Sequence, residues 1–507
     1  MAIKNGLGSK KSLIEHFEIQ GLYGYRNIGM SSQFSATILI AQNGSGKTTL
    51  LSAMDAFLRR QFLRLEDLVF DKIVCKLSTS EEMLEITKSE VSEISKRARV
   101  NIAEAAKKLS INEVELFNFV EGEYLSPNFS FRNWHEYVFL HPVMRNLGYS
   151  SKEAQKFFDA LRFSYHGVND KIASTWRVLQ ETFSEIEILY LPTYRRIELP
   201  INDSDVLEPS GKKRSGIKIP DRTLLAGNIQ FGLSDISERL HELNQAMMME
   251  SNASYRQISA NIINELLDGT FNRQTVEQSL LPDKEELTLF FNRLREVRTT
   301  VFSDTPIPNI DRIYRTQADT ESNKFLLYYV SKLNAAMEAT KRTESLVEAF
   351  ANSCNKYLSN NDPSLNDSAN AFAEDGKELK INRKNLSVWV ESKVLNREIK
   401  LDSLSSGEKQ MISLFAKMFL YDKQKLVLID EPELSLSIAW QREILQDVLR
   451  APDCLQIIAI THSPFIFDNS LERYANSLKS FIDVDALERL KNAMQEAKDE
   501  DGNDNVF

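Results

Sequence analysis

Lys47 and Thr48 close the run Ala41-Gln42-Asn43-Gly44-Ser45-Gly46-Lys47-Thr48-Thr49, residue types suited to gripping phosphate oxygens. Glycines let a backbone curl until its N–H groups face an anion. The usual pattern is a Gly, four residues, then Gly-Lys-Ser/Thr, and Ala41 stands where the first Gly is usual. Lys47 is expected to reach the outer phosphates, and the Thr48 hydroxyl to hold Mg²⁺. A helix starting here adds its positive end to the anion site. Much later, Asp430 and Glu431 end the apolar run Leu426-Val427-Leu428-Ile429. Asp430 there suits Mg²⁺, directly or through water. Glu431 is the natural general base for an attacking water. His462 follows a second apolar run, Leu455–Thr461, where a neutral imidazole can hydrogen-bond a terminal phosphate and sense its loss. Ser405, Ser406 and Gly407 open another helix and form a further anion cradle. An ordinary capped helix explains this segment by itself. A second cradle in one chain makes sense if it closes on the nucleotide of another subunit.

These residues need strands and helices to hold them. Residues 13–40 alternate apolar and polar in short runs punctuated by Gly21, Gly24 and Gly29, which predicts two or three strands ending at the phosphate loop. Residues 47–64 have helical apolar spacing without Gly or Pro. Residues 80–185 read as mostly helical, with no heptad kept up over many turns, so a long coiled-coil arm is not expected. The run 186–191, bounded by Pro192, reads as a buried strand returning to the core. Residues 233–300 read as helical, and 322–358 as one or two helices. Residues 360–376 read as a polar loop, and 377–401 as a hairpin. One amphipathic helix is expected near 484–498, followed by a disordered acidic tail. The resulting division is 1–60, an N-terminal head lobe; 61–185, a helical insertion; 186–200, a strand returning to the head; 201–225, a flexible basic linker; 226–360, a helical region; 361–470, a C-terminal head lobe; and 471–507, a helix and tail. In the linker, Lys212, Lys213 and Arg214 are either part of a mobile surface loop or a contact for nucleic acid or a partner.

The chain has 507 residues, enough for two or three domains. Apolar content is 42%, charged content 26% and net charge -10, which argues against a surface coated for constant nucleic-acid contact. The three cysteines, Cys75, Cys354 and Cys454, are scattered and suggest neither disulfides nor a zinc cluster; a reducing cytoplasm fits. Five further histidines, His16, His135, His141, His166 and His241, show no metal-ligand spacing and are taken as surface or core residues. No signal-peptide core is visible, and no window approaches the roughly 18 apolar residues of a membrane span, so no membrane partner is expected.

Taken together, the four blocks AQNGSGKTT, LSSGEKQ, LVLIDEPE and AITHS resemble those of the ATP-binding-cassette ATPases, in the soluble branch with SMC-like and OLD-like members. The resemblance covers about residues 13–60 and 377–470. It implies an α/β fold: an ABC-type (SMC/OLD-like) ATPase head with a large, mostly helical insertion between the Walker A and signature motifs. It implies ATP and Mg²⁺ as ligands, and two head-to-tail heads sandwiching nucleotide. Gln42 to Thr49, Asp430, Glu431 and His462 would serve one ATP, and Ser406 and Gly407, beside Ser405, the partner's. Ser435-Leu436-Ser437 would lie at the dimer seam. Tyr23, Tyr25 and Arg26 either flank the adenine or simply pack their strands, and no glutamine loop stands out.

A narrower resemblance rests on ILYLPTYRRIEL at 188–199, FGLSDI at 231–236 and DEPELSLSIAWQREIL at 430–445. These are similar to the PtuA ATPases of Septu anti-phage systems, including the retron-attached version. That family implies a homodimer or higher even oligomer, a separate HNH nuclease (PtuB) and, in retrons, a reverse transcriptase with its RNA–DNA hybrid. The 44 residues after Ser463 are too few for the nuclease domain of OLD proteins. The competing readings are an SMC-like DNA-binding repair ATPase, an OLD-like ATPase of another role, and a transporter subunit, which the helical insertion disfavours.

Overall fold

The computed structural model describes residues 7–42, 44–122, 124, 131, 134, 137–192, 233–270, 281–296, 308–315, 320–359, 376–399 and 403–489. Asn43, His135, the basic triplet Lys212-Lys213-Arg214, nearly all of the 360–376 loop and the acidic tail lie outside the described residues.

In chain order the first elements are β1 (Ile14–Leu22), β2 (Arg26–Ser31), β3 (Ala36–Ile40), α1 (Lys47–Leu58), β4 (Lys72–Leu77) and β5 (Met83–Thr87). Then come α2 (Lys88–Leu109), α3 (Glu113–Glu121), α4 (Leu140–Asn146), α5 (Ser151–His166), α6 (Asp170–Thr182) and β6 (Ile186–Leu191). The middle holds α7 (Leu233–Leu267), α8 (Lys284–Glu296), α9 (Ile310–Arg315), α10 (Glu321–Leu358), β7 (Lys377–Ile381), β8 (Val388–Ser392), β9 (Arg397–Ile399) and α11 (Ser406–Phe419). Last are β10 (Gln424–Asp430), α12 (Ile438–Arg450), β11 (Cys454–Thr461), β12 (Ala475–Ser477) and β13 (Lys479–Ile482). The chain divides into two compact units, one made of Met1–Gln230 with Lys423–Phe507, the other of Phe231–Asp422.

The first unit is built on two sheets. One is parallel, in the order β12-β3-β11-β10-β6. Its central strands are almost wholly apolar and buried, as strands covered on both faces must be. Asp430 pairs with Ile460, and Ile460 with Leu39, so the carboxyl ends of three strands finish at one edge. In open parallel sheets that edge is where ligands bind. The other sheet is antiparallel, in the order β13-β2-β1-β4-β5. Gln456, fully buried on β11, joins the two: its Oε1 accepts from Leu13 N at 2.9 Å and Ile14 N at 2.8 Å, and its Nε2 donates to Ile14 O at 3.2 Å. A buried amide so fully satisfied fixes register as well as position. Phe17 of β1 meets Phe57 of α1 edge-on at 5.9 Å, closing the core beneath the phosphate-loop helix.

The helical reading of 61–185 needs one correction. Residues 72–87 form the β4–β5 hairpin, added to β1, because Ile73, Cys75 and Leu77, then Leu84 and Ile86, alternate into the core. Helices α2 to α6 follow in that segment, with Phe119, Phe158 and Trp176 buried in the same core. The helix expected over 47–64 ends at Leu58, and a short 3-10 turn follows at Phe62–Leu65. After Ser463, strands β12 and β13 precede the helix that begins at residue 484.

In the second unit, α7 and α10 run 35 and 38 residues, roughly 50–57 Å at helical rise. They pack antiparallel: Tyr328 near the start of α10 donates to Glu265 near the end of α7. The stretch 322–358 is therefore one helix. Buried Val330, Leu333, Met337, Thr340, Val347, Ala351, Cys354 and Leu358, with Glu344 between, recur at alternating three- and four-residue spacings. This is a heptad-like stripe. Its polar break is filled by Arg293 of α8, which is 3% exposed and donates to Glu344 Oε1 at 2.7 Å and Thr340 Oγ1 at 3.5 Å. The expected hairpin at 377–401 is a three-stranded meander, β7-β8-β9. Asn355 of α10 anchors it, accepting from Leu379 N at 2.6 Å and donating to Leu379 O at 3.0 Å. Residues 377–422, expected in the C-terminal head lobe, thus group with the helical region.

Candidate functional site

The phosphate loop joins β3 to α1. Gly44 and Gly46 both take left-handed backbone, with φ of 76° and 91°. At Gly46 a Cβ would meet Ile28 Cδ1 at 3.0 Å, so glycine is needed there for conformation and for space. Ala41 N donates to Thr461 O at 3.1 Å, continuing the β3–β11 ladder into the loop. An alanine at this position is therefore compatible with a loop held in place by its neighbouring strand. Gln42 is exposed, and its carbonyl accepts from Ser45 N at 3.3 Å. The Ser45 hydroxyl oxygen is buried with no hydrogen-bond partner among the described residues, a donor available to an anion. Thr49 Oγ1 lies 3.4 Å from the Tyr23 hydroxyl, and Arg26 Nη1 donates to Gly44 O at 3.2 Å. Tyr23 is 46% exposed beside the loop.

At the foot of the loop two pairs join the start of α1 to the end of β10 and the residue after it. Lys47 Nζ lies 2.6 Å from Glu431 Oε1, and Thr48 Oγ1 donates to Asp430 Oδ2 at 2.5 Å. Four residues that the sequence separates by more than 380 positions thus share one site. Lys47 is only 6% exposed and Asp430 1%, so both charges work where water screens little. Thr48 and Asp430 bring together two hard oxygen donors, the set that suits Mg²⁺ when substrate phosphates and water complete its shell. Glu431 adopts left-handed backbone at φ 51°, unusual for a residue with a Cβ and held by its N–H to Ile460 O at 2.8 Å. The turn swings its side chain off the strand path and onto Lys47.

His462 emerges from the end of β11 with its side chain 46% exposed. Its Nδ1 lies 3.7 Å from Glu431 Oε1 and 3.0 Å from Glu433 Oε1. Glu433 stands in the acidic block without a role that the sequence assigns; a third carboxylate two positions past the base is the available signal. Beneath the loop, α1 is pinned to β6 by Ser52 Oγ and the Tyr190 hydroxyl at 2.8 Å, and burial pushes that phenol well up. Asp55, one turn further on, is 1% exposed and binds Arg59 at 2.6 Å and Arg64 at 2.7 Å. Burial raises its carboxyl, but the two guanidiniums outweigh that and hold it below the usual range.

Ser405, Ser406 and Gly407 lie in the second unit, at the start of α11. Ser405 is the N-cap in a reciprocal capping box with Glu408: its hydroxyl accepts from Glu408 N at 3.3 Å, and its N–H donates to Glu408 Oε2 at 2.7 Å. Lys377 pairs with the same carboxylate at 2.9 Å. The Ser405 side chain is thus engaged in the cap, while Ser406 and Gly407 begin the helix's first turn, where backbone N–H groups have no partner within the helix. Ser435 has left-handed backbone at φ 61°, and Ser437 caps α12. All three cysteines are free and buried, and among the described residues no cluster of His, Cys, Asp and Glu forms a metal centre. His166 is fully buried with Nδ1 2.8 Å from Arg162 O.

A curled phosphate loop, a lysine and hydroxyl facing two carboxylates, and a parallel sheet that brings them to one edge define a phosphate-loop ATPase. The chain belongs to the AAA ATPase domain family (AAA_15), whose model matches residues 13–467. It is similar to the Retron Ec83 probable ATPase of Escherichia coli, 26% identical over 203 residues. That match covers 36% of this chain and 37% of the relative, so the chain spans little more than a third of that protein's length. Among solved structures, the Smc head domain with an extended coiled coil bound to the C-terminal domain of ScpA, from Pyrococcus furiosus, matches at 11% identity. That alignment covers 96% of this chain and 99% of that one, with a TM-score of 0.31. The SmcHead bound to the C-winged helix domain of ScpA matches at 10% identity, covering 94% and 99%, with a TM-score of 0.32. Among the described residues no helix is long and apolar enough to cross a membrane.

Proposed function

We propose that this ATPase is the nucleotide-driven subunit of an anti-phage defence complex of Septu or retron type, pairing with a second copy of itself and controlling a partner HNH nuclease. The observation that carries the ATP chemistry is the crossed pairing of Lys47 with Glu431 and Thr48 with Asp430. The likeness to a retron ATPase supports the defence setting. In this reading Gln42, Asn43, Gly44, Ser45, Gly46 and Thr49 wrap the phosphates with backbone and hydroxyl donors, and Lys47 holds the outer ones. Thr48 and Asp430 hold Mg²⁺, which neutralises charge on the phosphate oxygens when bound. Lys47 exchanges its pairing with Glu431 for phosphate oxygens, and Glu431, so released, accepts the proton of the attacking water. His462 contacts the terminal phosphate. Ser405 fixes the cap that aims the Ser406 and Gly407 amides at the nucleotide of a second copy, with Ser435, Leu436 and Ser437 at the seam. The Tyr23 ring, exposed beside Thr49, flanks the base, and Arg26 steadies the loop through Gly44. A retron reverse transcriptase with its RNA–DNA hybrid, and DNA itself, are the further partners of this reading. The site of action is the cytoplasm.

Two variants test it. Lys47→Ala should lose ATP binding. Glu431→Gln should keep binding but slow hydrolysis by about 10²–10⁴-fold and, with ATP, shift to a dimer in light scattering. Both should abolish protection against phage when the full defence locus is expressed. Full protection by both variants refutes ATP as the switch, and a Glu431→Gln protein that stays monomeric with ATP refutes the shared site.

The paired helices α7 and α10 favour a second reading, an SMC-like DNA-binding repair ATPase, since long antiparallel helices suit a tether. Salt-dependent DNA binding by the purified chain alone is its discriminating result.

A further inference from the structure

Glu433 is 5% exposed, a carboxylate placed where burial is costly unless it is engaged. Its contacts converge on the end of β11. Oε2 accepts from Thr461 Oγ1 at 2.8 Å, and Oε1 accepts from His462 N at 3.1 Å. The same Oε1 stands 3.0 Å from His462 Nδ1. One oxygen thus grips the backbone and the ring of a single histidine. Behind it lies a second layer. Gln441 of α12 accepts from Ser463 Oγ at 2.8 Å and donates to Leu436 O at 3.0 Å, tying the segment after His462 to the loop that carries Glu433.

We infer that Glu433 is a positioning residue for the reaction: it fixes the ring of His462 so that Nε2, not Nδ1, is presented to the terminal phosphate. The chemistry is that of any carboxylate–histidine pair. An ionised carboxylate only accepts, so Nδ1 donates to Glu433 and the ring plane is set; phosphate oxygens also only accept, so a ring that bridges the two carries a hydrogen on each nitrogen, and Nε2–H is the donor aimed at the phosphate. The need is visible in the geometry. The His462 ring is about half exposed, and Glu431 Oε1 lies 3.7 Å from the same nitrogen. Without Glu433 the ring is free to turn onto Glu431, which removes it from phosphate and engages the base at once. Glu433 therefore keeps the phosphate sensor and the base apart.

This inference rests on the reading of His462 as a phosphate contact, and the experiment separates the two. Affinities of the purified full-length chain for ATPγS and for ADP, each with Mg²⁺, are measured by calorimetry, so no turnover is needed. His462→Ala should weaken ATPγS binding with ADP unchanged. Glu433→Ala should do the same, by about tenfold, and the double variant should be no worse than His462→Ala alone. Glu433→Gln, whose amide oxygen still accepts from His462, should restore most of the ATPγS preference. Glu433→Asp, which withdraws the carboxylate by one methylene, should lose that preference and serves where Glu433→Ala fails to fold. An unchanged ATPγS-to-ADP ratio in His462→Ala overturns the histidine's role. An altered ratio there, with an unchanged one in Glu433→Ala or Glu433→Asp, overturns the positioning role. Equal weakening of both nucleotides by the Glu433 variants reduces Glu433 to a structural residue.

Discussion

Replacing Asp55 by Ala tests how the phosphate-loop helix is anchored. Asp55 sits on the third turn of α1, 1% exposed, with guanidinium nitrogens of Arg59 at 2.6 Å and Arg64 at 2.7 Å. Removing one partner of a buried ion pair costs roughly 3–5 kcal/mol, because the other charge is left without compensation. Here the remaining arginines keep other acceptors. Arg64 still donates to Gln61 Oε1 at 2.6 Å, and Arg59 still donates to Ile188 O of β6. Arg59 and Arg64 are also 23% and 11% exposed, so water relieves part of the loss. The expected destabilisation is therefore at the lower end, about 3 kcal/mol. It should also depend on pH. The Asp55 carboxyl is held below its ordinary value of 3.8, so its stabilisation is fully present above that value and is lost as pH falls through the lower, folded value. Urea unfolding of wild type and Asp55→Ala by circular dichroism should show the full gap at neutral pH and a gap that closes only on the acid side of 3.8. A gap under about 1 kcal/mol at neutral pH, the size of an exposed pair, refutes the reasoning. So does a gap that does not change on acidification.

Two other perturbations have signs set by the structure. Gly46→Ala forces φ 91° on a residue with a Cβ and drives that Cβ to 3.0 Å from Ile28, whereas Gly44→Ala meets nothing within 4 Å at φ 76°. Gly44→Ala should cost about 1–2 kcal/mol of strain alone, and Gly46→Ala more, with the larger loss of ATP affinity by calorimetry; equal effects would contradict the packing. In the second unit, Glu344→Leu leaves Arg293 buried without its carboxylate and should lose about 3–5 kcal/mol in thermal or urea unfolding. Arg293→Leu with Glu344→Leu completes the apolar stripe and should recover most of that loss; a double variant as weak as the single one would show that the break is not an ion-pair device.

The site was legible in the sequence where chemistry and fold impose the same residues. Lys47 and Thr48 must follow a glycine curl, and strands buried on both faces must read as unbroken apolar runs, so β10 and β11 and the residues at their ends could be placed in advance. The strand β6 was legible for the same reason, bounded by Pro192. The β4–β5 hairpin was not, because its alternation is short and abuts the strongly helical α2, whose spacing dominates the window. The edge strands β9, β12 and β13 are three or four residues long, too short for periodicity to register. The stripe on α10 was hidden by Thr340 and Glu344, polar residues whose partner, Arg293, lies on another helix. Glu433 has no role that the sequence assigns, since nothing local says that a carboxylate will fold back onto a histidine 29 residues later.

The sheet that carries the nucleotide chemistry is assembled from widely separated pieces of chain. Among the described residues β3 pairs with β11 and β12, and β6 with β10, so these ladders wait for residues beyond 423. During synthesis, hydrophobic Ile38, Leu39, Ile188 and Leu189 therefore emerge long before the strands that shield them. Such topology folds slowly and exposes adhesive surface meanwhile. Competence to bind ATP consequently waits for β10 and β11, and ribosome-bound fragments ending before β10 should depend on chaperones and hold no nucleotide.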